Sequence, residues 1–168
     1  NNMANTVPSS FGISLLSGHH DFATGGNAYK LALYTTSPYD VNSTVFIGGT
    51  GNGEVNPANN SNYVAGGNAL TSQAVATGDG TSTGKLVATV DFANTVWGAA
   101  TTGAATFGAA FGAIYNTTSV DGTANRLVVV LDFGGTKTAT AGDFTVAYPD
   151  PTTGSPAGSA AIISLNAN

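Results

Sequence analysis

The feature that most constrains the fold is a pair of apolar segments separated by a loop of turn-forming residues. The first segment runs from Phe107 to Tyr115, and the second, Leu127 to Leu131, is the longest apolar run of the chain. The loop between them consists of turn-forming residues and contains Asp121-Gly122, so the two runs predict a hairpin with a long, exposed loop. Apolar residues fill every position of the second run, and successive strand side chains point to opposite faces. The sequence therefore predicts a hairpin whose second strand is central and covered on both faces.

Further strands are predicted on both sides of this hairpin. Four segments alternate in the manner of half-buried strands or form a weaker edge strand: residues 27–35, 70–76, 85–92 and 142–148. A closing strand is predicted at residues 159–165, and Trp97 is expected to pack into the core. One short helix is predicted from Phe11 to Ser17, with Ser9 or Ser10 as its N-cap and Gly18 at its end.

This pattern predicts an all-β fold. About seven strands between glycine-rich turns, with one helical candidate, are typical of an antiparallel β-sandwich or jelly-roll-like fold. Residues 11–168 are expected to form a single sandwich domain with a short N-terminal helix, preceded by a flexible N-terminal arm at residues 1–10. The segment from Ser37 to Asn68 is too rich in glycine, asparagine and proline to form core. A loop of this length is usually functional or interface-forming.

The composition is unusually poor in charge. Charged residues make up 8% of the chain, against roughly 25% in ordinary soluble domains, and the formal net charge is −5. Such a surface is weakly repelled by its neighbours, which suits a protein that is packed into an assembly. Secreted β-proteins often have a similar composition. Four basic residues cannot form an electrostatic footprint for nucleic acid.

Other classes of protein are also disfavoured. No apolar run approaches the roughly 20 residues that a membrane-spanning helix needs. The stretch NNMANTVPSS has neither a basic nor an apolar signal region, so we expect no secretion signal. The chain contains no cysteine, which excludes disulfides and thiolate metal sites.

No catalytic apparatus is convincing in the sequence. His19, His20 and Asp21 form the only histidine cluster, but adjacent strand residues point apart and rarely bind one ion. The nine carboxylates are scattered singly, whereas a glycosidase needs two in one cleft. Asp91 and Asp132 each precede a phenylalanine on a strong strand and are the nearest approach to such a pair. We therefore predict no catalytic, metal-binding or cofactor-binding residues and no enzymatic activity.

An ordered series of short motifs resembles a family of small β-rich virion proteins of tailed bacteriophages. The matching stretches are FGISLLSGHHDF at residues 11–22, YKLALYTTS at 29–37, GEV at 53–55, YVAGGNALT at 63–71, VDFANTVW at 90–97, IYN at 114–116, LDFGG at 131–135 and GDFTVAYP at 142–149. The series covers most of the chain. It departs from the family where Val64 replaces a usual threonine and where residues 37–53 form a longer segment.

The resemblance implies a structural component of a phage particle, of the head-decoration or tail type. Our leading hypothesis is a capsid decoration, or cement, protein on the outer surface of the phage head. Its expected partners are the major capsid protein and further copies of itself, in a homotrimer, with no nucleic acid or membrane. The alternatives are a tail, neck or fibre component, a secreted adhesin or pilin-like subunit, and a polysaccharide-degrading enzyme.

The N-terminal region supplies the candidate assembly contacts. An uncharged arm has little reason to be ordered alone, and its ordering entropy is offset when it lies on a partner. The alternative is an ordinary frayed terminus. The predicted contact residues are Asn5, Val7, Phe11, Leu15 and Leu16.

Overall fold

The computed structural model describes residues 5–58, 61–77, 86–98, 103–149 and 162–167. These residues contain one α-helix, α1 (Ser9–Leu16), and one 3₁₀ turn (Thr50–Asn52). The described strands are β1 (Tyr29–Tyr34), β2 (Asn68–Ala69), β3 (Ala74–Thr77), β4 (Leu86–Asp91), β5 (Thr95–Trp97), β6 (Ala105–Asn116), β7 (Arg126–Gly142), β8 (Phe144–Val146) and β9 (Ile163–Ala167). The two larger sheets are antiparallel. The predicted all-β class with one short helix is thus confirmed, while the sandwich arrangement stays a prediction.

The chain divides into two compact units, which we describe separately. The larger unit comprises Asn1–His20, Asn27–Ala69 and Val96–Thr145, and the smaller comprises Asp21–Gly26, Leu70–Thr95 and Val146–Asn168. The larger unit is built on a four-stranded sheet in the order β2-β1-β6-β7. The smaller unit contains a three-stranded sheet in the order β3-β4-β9. β5 and β8 pair with each other in a short two-stranded sheet.

The hairpin that dominates the sequence is formed by β6 and β7, as predicted. At its tip Val120 and Thr123 exchange both backbone hydrogen bonds across Asp121-Gly122. Asp121 (φ 52°) and Gly122 (φ 75°) both have positive φ, which is the requirement of a type I′ turn. This tight turn lies within the long loop that the sequence predicts between the two strands, from the end of β6 at Asn116 to the start of β7 at Arg126.

The first half of β7 is covered on both faces, but the strand is not central. Leu127, Val128, Val129 and Val130 are all buried, as the apolar run predicts. The predicted central position is wrong, because β7 lies at the edge of its sheet. Short segments from elsewhere in the chain form hydrogen bonds with backbone groups on the outer edge of β7. Thr6 exchanges two 2.9 Å hydrogen bonds with Val130, and the Leu127 N–H donates to the Thr44 carbonyl over 2.9 Å.

The second half of β7 is different in character. Between the register pairs Phe111–Asp132 and Ala109–Lys137, a single β6 residue faces the β7 segment Phe133 to Thr136. Gly134 (φ 70°) and Gly135 (φ 121°) provide the backbone of this bulge. Most of the strand that follows it is exposed. A bulge and a lysine on an edge strand are devices that discourage further strand pairing.

The aromatic core of the larger unit gathers around Trp97. Its side chain is fully buried, as predicted, and contacts the rings of Tyr63, Phe107 and Phe144 at centroid distances of 6.2, 6.3 and 6.2 Å. In the smaller unit, Phe92 packs against Phe22 and Tyr148. Aromatic pairs at these spacings contribute beyond their buried area.

Helix α1 begins earlier than predicted. Pro8 occupies the N-cap position, and no side chain caps the helix. The Ser9 and Ser10 hydroxyls, which were predicted to cap it, instead donate to the carbonyls of Val41 (3.4 Å) and Ser43 (2.9 Å). Gly18, with φ 74°, follows the helix end as predicted.

Candidate assembly surface

The segment predicted to be a flexible arm is attached to β7 from Asn5 onward. Besides the Thr6–Val130 bridge, the Asn5 Oδ1 atom accepts a 2.9 Å hydrogen bond from the Asp132 N–H. These bonds occupy the outer edge of β7, so the described part of the segment differs from the prediction. Its backbone has a partner within the chain and does not need another subunit to supply one.

The predicted assembly contacts have unequal positions in the structure. Phe11 is 3% exposed and packs on the His20 ring, 5.1 Å away between ring centroids, so it belongs to the core and its assignment as a contact is corrected. Leu15 is half-buried, and Asn5 is exposed beside β7. Val7 and Leu16 are 52% and 92% exposed and are available to a partner.

Further exposed apolar side chains lie in the same unit. Ile13 is 68% exposed, and with Leu16 it forms an i, i+3 pair on the outer side of α1. Val41 is 56% exposed, and its carbonyl accepts the Ser9 hydroxyl from the start of the helix. Sequence analysis missed Ile13 and Val41. Ile13 is exposed because the helix buries Phe11 and Ser14, which turns residues 12, 13 and 16 outward.

The two histidines of the cluster have different surroundings in the structure. His19 Nε2 hydrogen-bonds to Asp121 Oδ2 over 2.9 Å, which fixes the hairpin tip to the residues after α1.

His20 is held in the interior. Its Nδ1 atom lies 3.3 Å from the Nδ2 atom of Asn116, which is fully buried and also donates to Asn27 Oδ1 over 2.9 Å. Burial lowers the pKa of His20 to about 4, and the nearby charges of Arg126 and His19 act in the same direction. The imidazole is thus neutral at physiological pH, as its packing against apolar rings requires.

Glu54 is the most deeply placed acidic group that the structure describes. The residue is 4% exposed, and its two carboxylate oxygens accept three hydrogen bonds. The donors are the Gly49 N–H at 2.6 Å, the Gly66 N–H at 2.6 Å and the Tyr63 hydroxyl at 2.9 Å. A buried carboxylate is tolerated when such donors replace its lost water. Glu54 thereby joins two distant turns of the long loop.

A group of tyrosines surrounds Glu54 and extends this polar network. The Tyr34 and Tyr39 hydroxyl oxygens are 2.6 Å apart, and Tyr34 donates to the Ile47 carbonyl over 2.9 Å. Burial raises the pKa of Tyr34, Tyr39 and Tyr63, and burial together with the charge of Glu54 raises the pKa of Tyr115 to about 12. These phenols stay protonated and serve as hydrogen-bond donors. We call Glu54 and its four tyrosines, Tyr34, Tyr39, Tyr63 and Tyr115, the Glu54 network.

The long loop from Ser37 to Asn68 is therefore part of the core, contrary to the prediction. Tyr39, Val55 and Tyr63 are at most 5% exposed. Gly67 explains how tightly the loop lies on β1, because a Cβ at this position would be 1.8 Å from the Leu31 carbonyl oxygen. Its φ of 76° also favours glycine. This segment is thus closely packed although its composition is typical of an exposed loop.

The described residues contain no group of three or more histidine or acidic side chains that could hold a metal ion. Asp91 lies in the smaller unit and Asp132 in the larger, and the Asp132 carboxylate accepts the Gly134 N–H within the β7 bulge. Within the same described residues, no helix is long and apolar enough to cross a bilayer. No family model, curated protein or solved structure matches the chain.

Proposed function

We propose that this chain is a structural protein of a bacteriophage particle, a capsid decoration protein that binds the outer lattice of the head as a homotrimer. The major capsid protein is its partner. The observation that carries the proposal is the exposed apolar surface of the larger unit, in which Ile13 and Leu16 project from a helix without charged residues. Exposed aliphatic side chains that lie together on one helix face are a feature of interaction sites.

The weak charge of the chain supports the same proposal. Binding through shape and apolar contacts depends little on salt, because few ion pairs form. A symmetric oligomer also multiplies one modest contact into several simultaneous ones, which raises the avidity for a repeating lattice. The ordered motifs that resemble phage virion proteins point in this direction independently.

The experiment is to locate the protein on particles of the phage whose genome encodes it. Antibodies raised against the purified chain are labelled with gold and imaged on intact virions, with virions of a deletion mutant as the control. Label spread over the head supports a decoration protein. Label confined to the tail, neck or fibres assigns the chain to that structure instead, and particles without label contradict a virion role.

Reconstitution then tests the strength and chemistry of attachment. Purified chain is added to heads of the deletion mutant at increasing salt concentration, and the bound fraction is measured after sedimentation. We expect saturable binding that changes little with salt. Binding that is lost on moderate addition of salt would contradict an attachment through apolar contacts.

A further inference from the structure

The 3₁₀ turn ends in the only Asn-Gly dipeptide of the chain, Asn52-Gly53. Asn52 is exposed, and Gly53 is half-buried. Asparagine is a thermolabile residue, because the backbone nitrogen of the residue that follows it can attack its side-chain amide. A side chain on that following residue hinders the attack, and glycine has none. This dipeptide is therefore the place in the chain where the reaction meets the least steric hindrance.

The fold itself requires glycine at position 53. Gly53 has a φ of 86°, and a Cβ there would lie 2.4 Å from the Thr36 carbonyl oxygen. Any other residue would be strained and would clash. Asn52 also has a role in the turn, since its Nδ2 atom donates to the Gly48 carbonyl over 2.8 Å. The reactive pair is thus built into the packing of the turn.

The folded turn restrains the two groups that would react. The Gly53 N–H donates to the Thr50 carbonyl over 3.0 Å, and the Asn52 amide is held on the Gly48 carbonyl. The attack requires the Gly53 nitrogen to leave its hydrogen bond and approach the Asn52 Cγ atom. The reaction therefore proceeds from an opened turn, and its rate follows the fraction of molecules in which the turn is open.

Glu54 holds this turn closed. Its Oε2 atom accepts the Gly49 N–H over 2.6 Å, and the Gly49 carbonyl in turn accepts the Asn52 N–H over 2.9 Å. The Oε1 atom of the same carboxylate accepts the Gly66 N–H and the Tyr63 hydroxyl, which fixes the turn to a second segment of the loop. Loss of the carboxylate would leave the buried donors without an acceptor and favour the open turn.

We propose that Asn52 is a self-modification site, at which spontaneous deamidation gives aspartate or isoaspartate at a rate that the Glu54 network controls. The Gly53 nitrogen forms a bond to the Asn52 Cγ atom, and the side-chain nitrogen leaves as ammonia together with the proton that the Gly53 nitrogen gives up. Water then opens the cyclic imide at either of its carbonyl groups. Opening at one carbonyl gives aspartate, and opening at the other gives isoaspartate, whose main chain runs through Cγ.

Both products change the turn. A carboxylate at position 52 cannot donate to the Gly48 carbonyl, so the 2.8 Å hydrogen bond is lost. Isoaspartate also lengthens the main chain directly before Gly53, whose carbonyl accepts the Thr35 N–H over 2.8 Å. The modification thus loosens the attachment of the long loop next to β1, and it makes a single opening of the turn permanent.

Peptide mapping by mass spectrometry, after incubation of the purified chain at mildly alkaline pH, tests the site. Asn42 is the internal control, because it is exposed, lies in the same loop and precedes Ser43. We expect aspartate and isoaspartate to accumulate at residue 52 before residue 42, and Asn52→Gln to give no product there. A folded chain in which residue 52 stays unconverted, or converts no sooner than Asn42, would overturn the inference.

Three rates then test control by the Glu54 network. We expect conversion at residue 52 to be about tenfold faster or more in the chain unfolded by urea and in Glu54→Gln, because each releases buried donors. Tyr63→Phe removes only one donor to Glu54 and should give a smaller increase. Where Glu54→Gln also raises the rate at Asn42, the chain has unfolded and Tyr63→Phe decides. Conversion that is no faster in urea, or in a folded network variant, would overturn the control.

Discussion

The Glu54 network and the outer face of α1 both depart from the rule that polar groups lie at the surface and apolar groups in the interior, and they do so in opposite directions. The first places a carboxylate and several phenols in the interior, and the second places Ile13 and Leu16 in water. Every donor and acceptor that the network requires comes from this chain: two backbone N–H groups and the Tyr63 hydroxyl serve Glu54. Nothing in the described residues performs the corresponding task for α1.

The difference separates what stabilises the monomer from what the monomer offers to others. A buried polar group with all its partners fixes one conformation of the loop that carries it. An exposed apolar face does not contribute to folding and gains free energy only when a second surface covers it. We therefore expect substitutions in the network to change the free energy of unfolding and those on α1 to change binding to the head.

The largest effect is expected from the strand that underlies both regions. Val129→Asp places an unpaired charge in the buried half of β7, where Val129 is 2% exposed. The cost of several kcal/mol is comparable to the whole stability of a domain, so we expect unfolding or aggregation. Thr138→Asp, on the exposed half of the same strand, is the control and should stay folded. A soluble Val129→Asp protein with a cooperative melting transition would show that this run is not core.

Glu54→Gln is expected to have the next largest effect. Glutamine has only one acceptor oxygen, so its NH₂ group would face the backbone N–H of Gly49 or Gly66. Two hydrogen-bond donors would then meet, and that backbone N–H would lose its acceptor. We expect a loss of about 3 kcal/mol in the free energy of unfolding, measured in urea.

The control for Glu54→Gln is Asp40→Asn, an exposed acidic residue of the same loop. It should change the free energy of unfolding by about 0.5 kcal/mol or less. A Glu54→Gln variant as stable as the Asp40→Asn variant would show that the network does not hold the loop.

Acid should weaken the anchorage of α1 through His20. The folded pKa of about 4 is below the ordinary 6.5, so the unfolded chain binds a proton first as the pH falls. The stabilisation of the folded state that comes from a neutral His20 is fully present above pH 6.5. The free energy of unfolding then falls as the pH drops toward 4, and His20 changes it no further below that pH. The full shift corresponds to at most about 3 kcal/mol, and less where water screens the ring.

Urea unfolding between these pH values measures the contribution of His20. We expect His20→Phe to reduce the slope of stability against pH, because it removes the buried imidazole. Equal slopes for His20→Phe and the unmodified chain would show that the buried imidazole is not the group responsible.

The smallest expected effect concerns two glycines that differ only in backbone conformation. Neither Gly12 nor Gly18 has an atom near its missing Cβ, but Gly18 has φ 74°. At concentrations where the chain is monomeric, Gly12→Ala should raise the free energy of unfolding by roughly 0.5–1 kcal/mol. Gly18→Ala should lower it, because alanine is strained at positive φ. A destabilising Gly12→Ala would mean that the fold does use this glycine.

Local patterns in the sequence predicted the hairpin with its long loop and the burial of Trp97, because alternation and turn chemistry depend on neighbouring residues. The edge position of β7 could not be predicted in this way. It depends on which segments, such as Thr6, reach Val130 through space. An apolar run predicts that both faces of a strand are buried, but it does not predict which strands or segments pair with its two edges.

Glu54 was missed for a related reason. An acidic residue between glycines and asparagines has the composition of an exposed loop, and its donors at Gly49 and Gly66 come from different turns. The sequence predicts both Phe11 and Leu16 as assembly contacts, because a helix of eight residues with apolar groups on several sides does not specify which face is turned inward. The burial of Phe11 against His20 decides the orientation.

Amide hydrogen exchange of the free chain and of the chain bound to heads tests the central contrast most directly. The account predicts that the Gly49 and Gly66 amides, which bind Glu54, are equally protected in both states. The amides of α1 should gain protection only on the heads, when the capsid lattice covers its outer face. Protection of α1 that does not change on binding, or protection of the Glu54 network that does, would contradict the account.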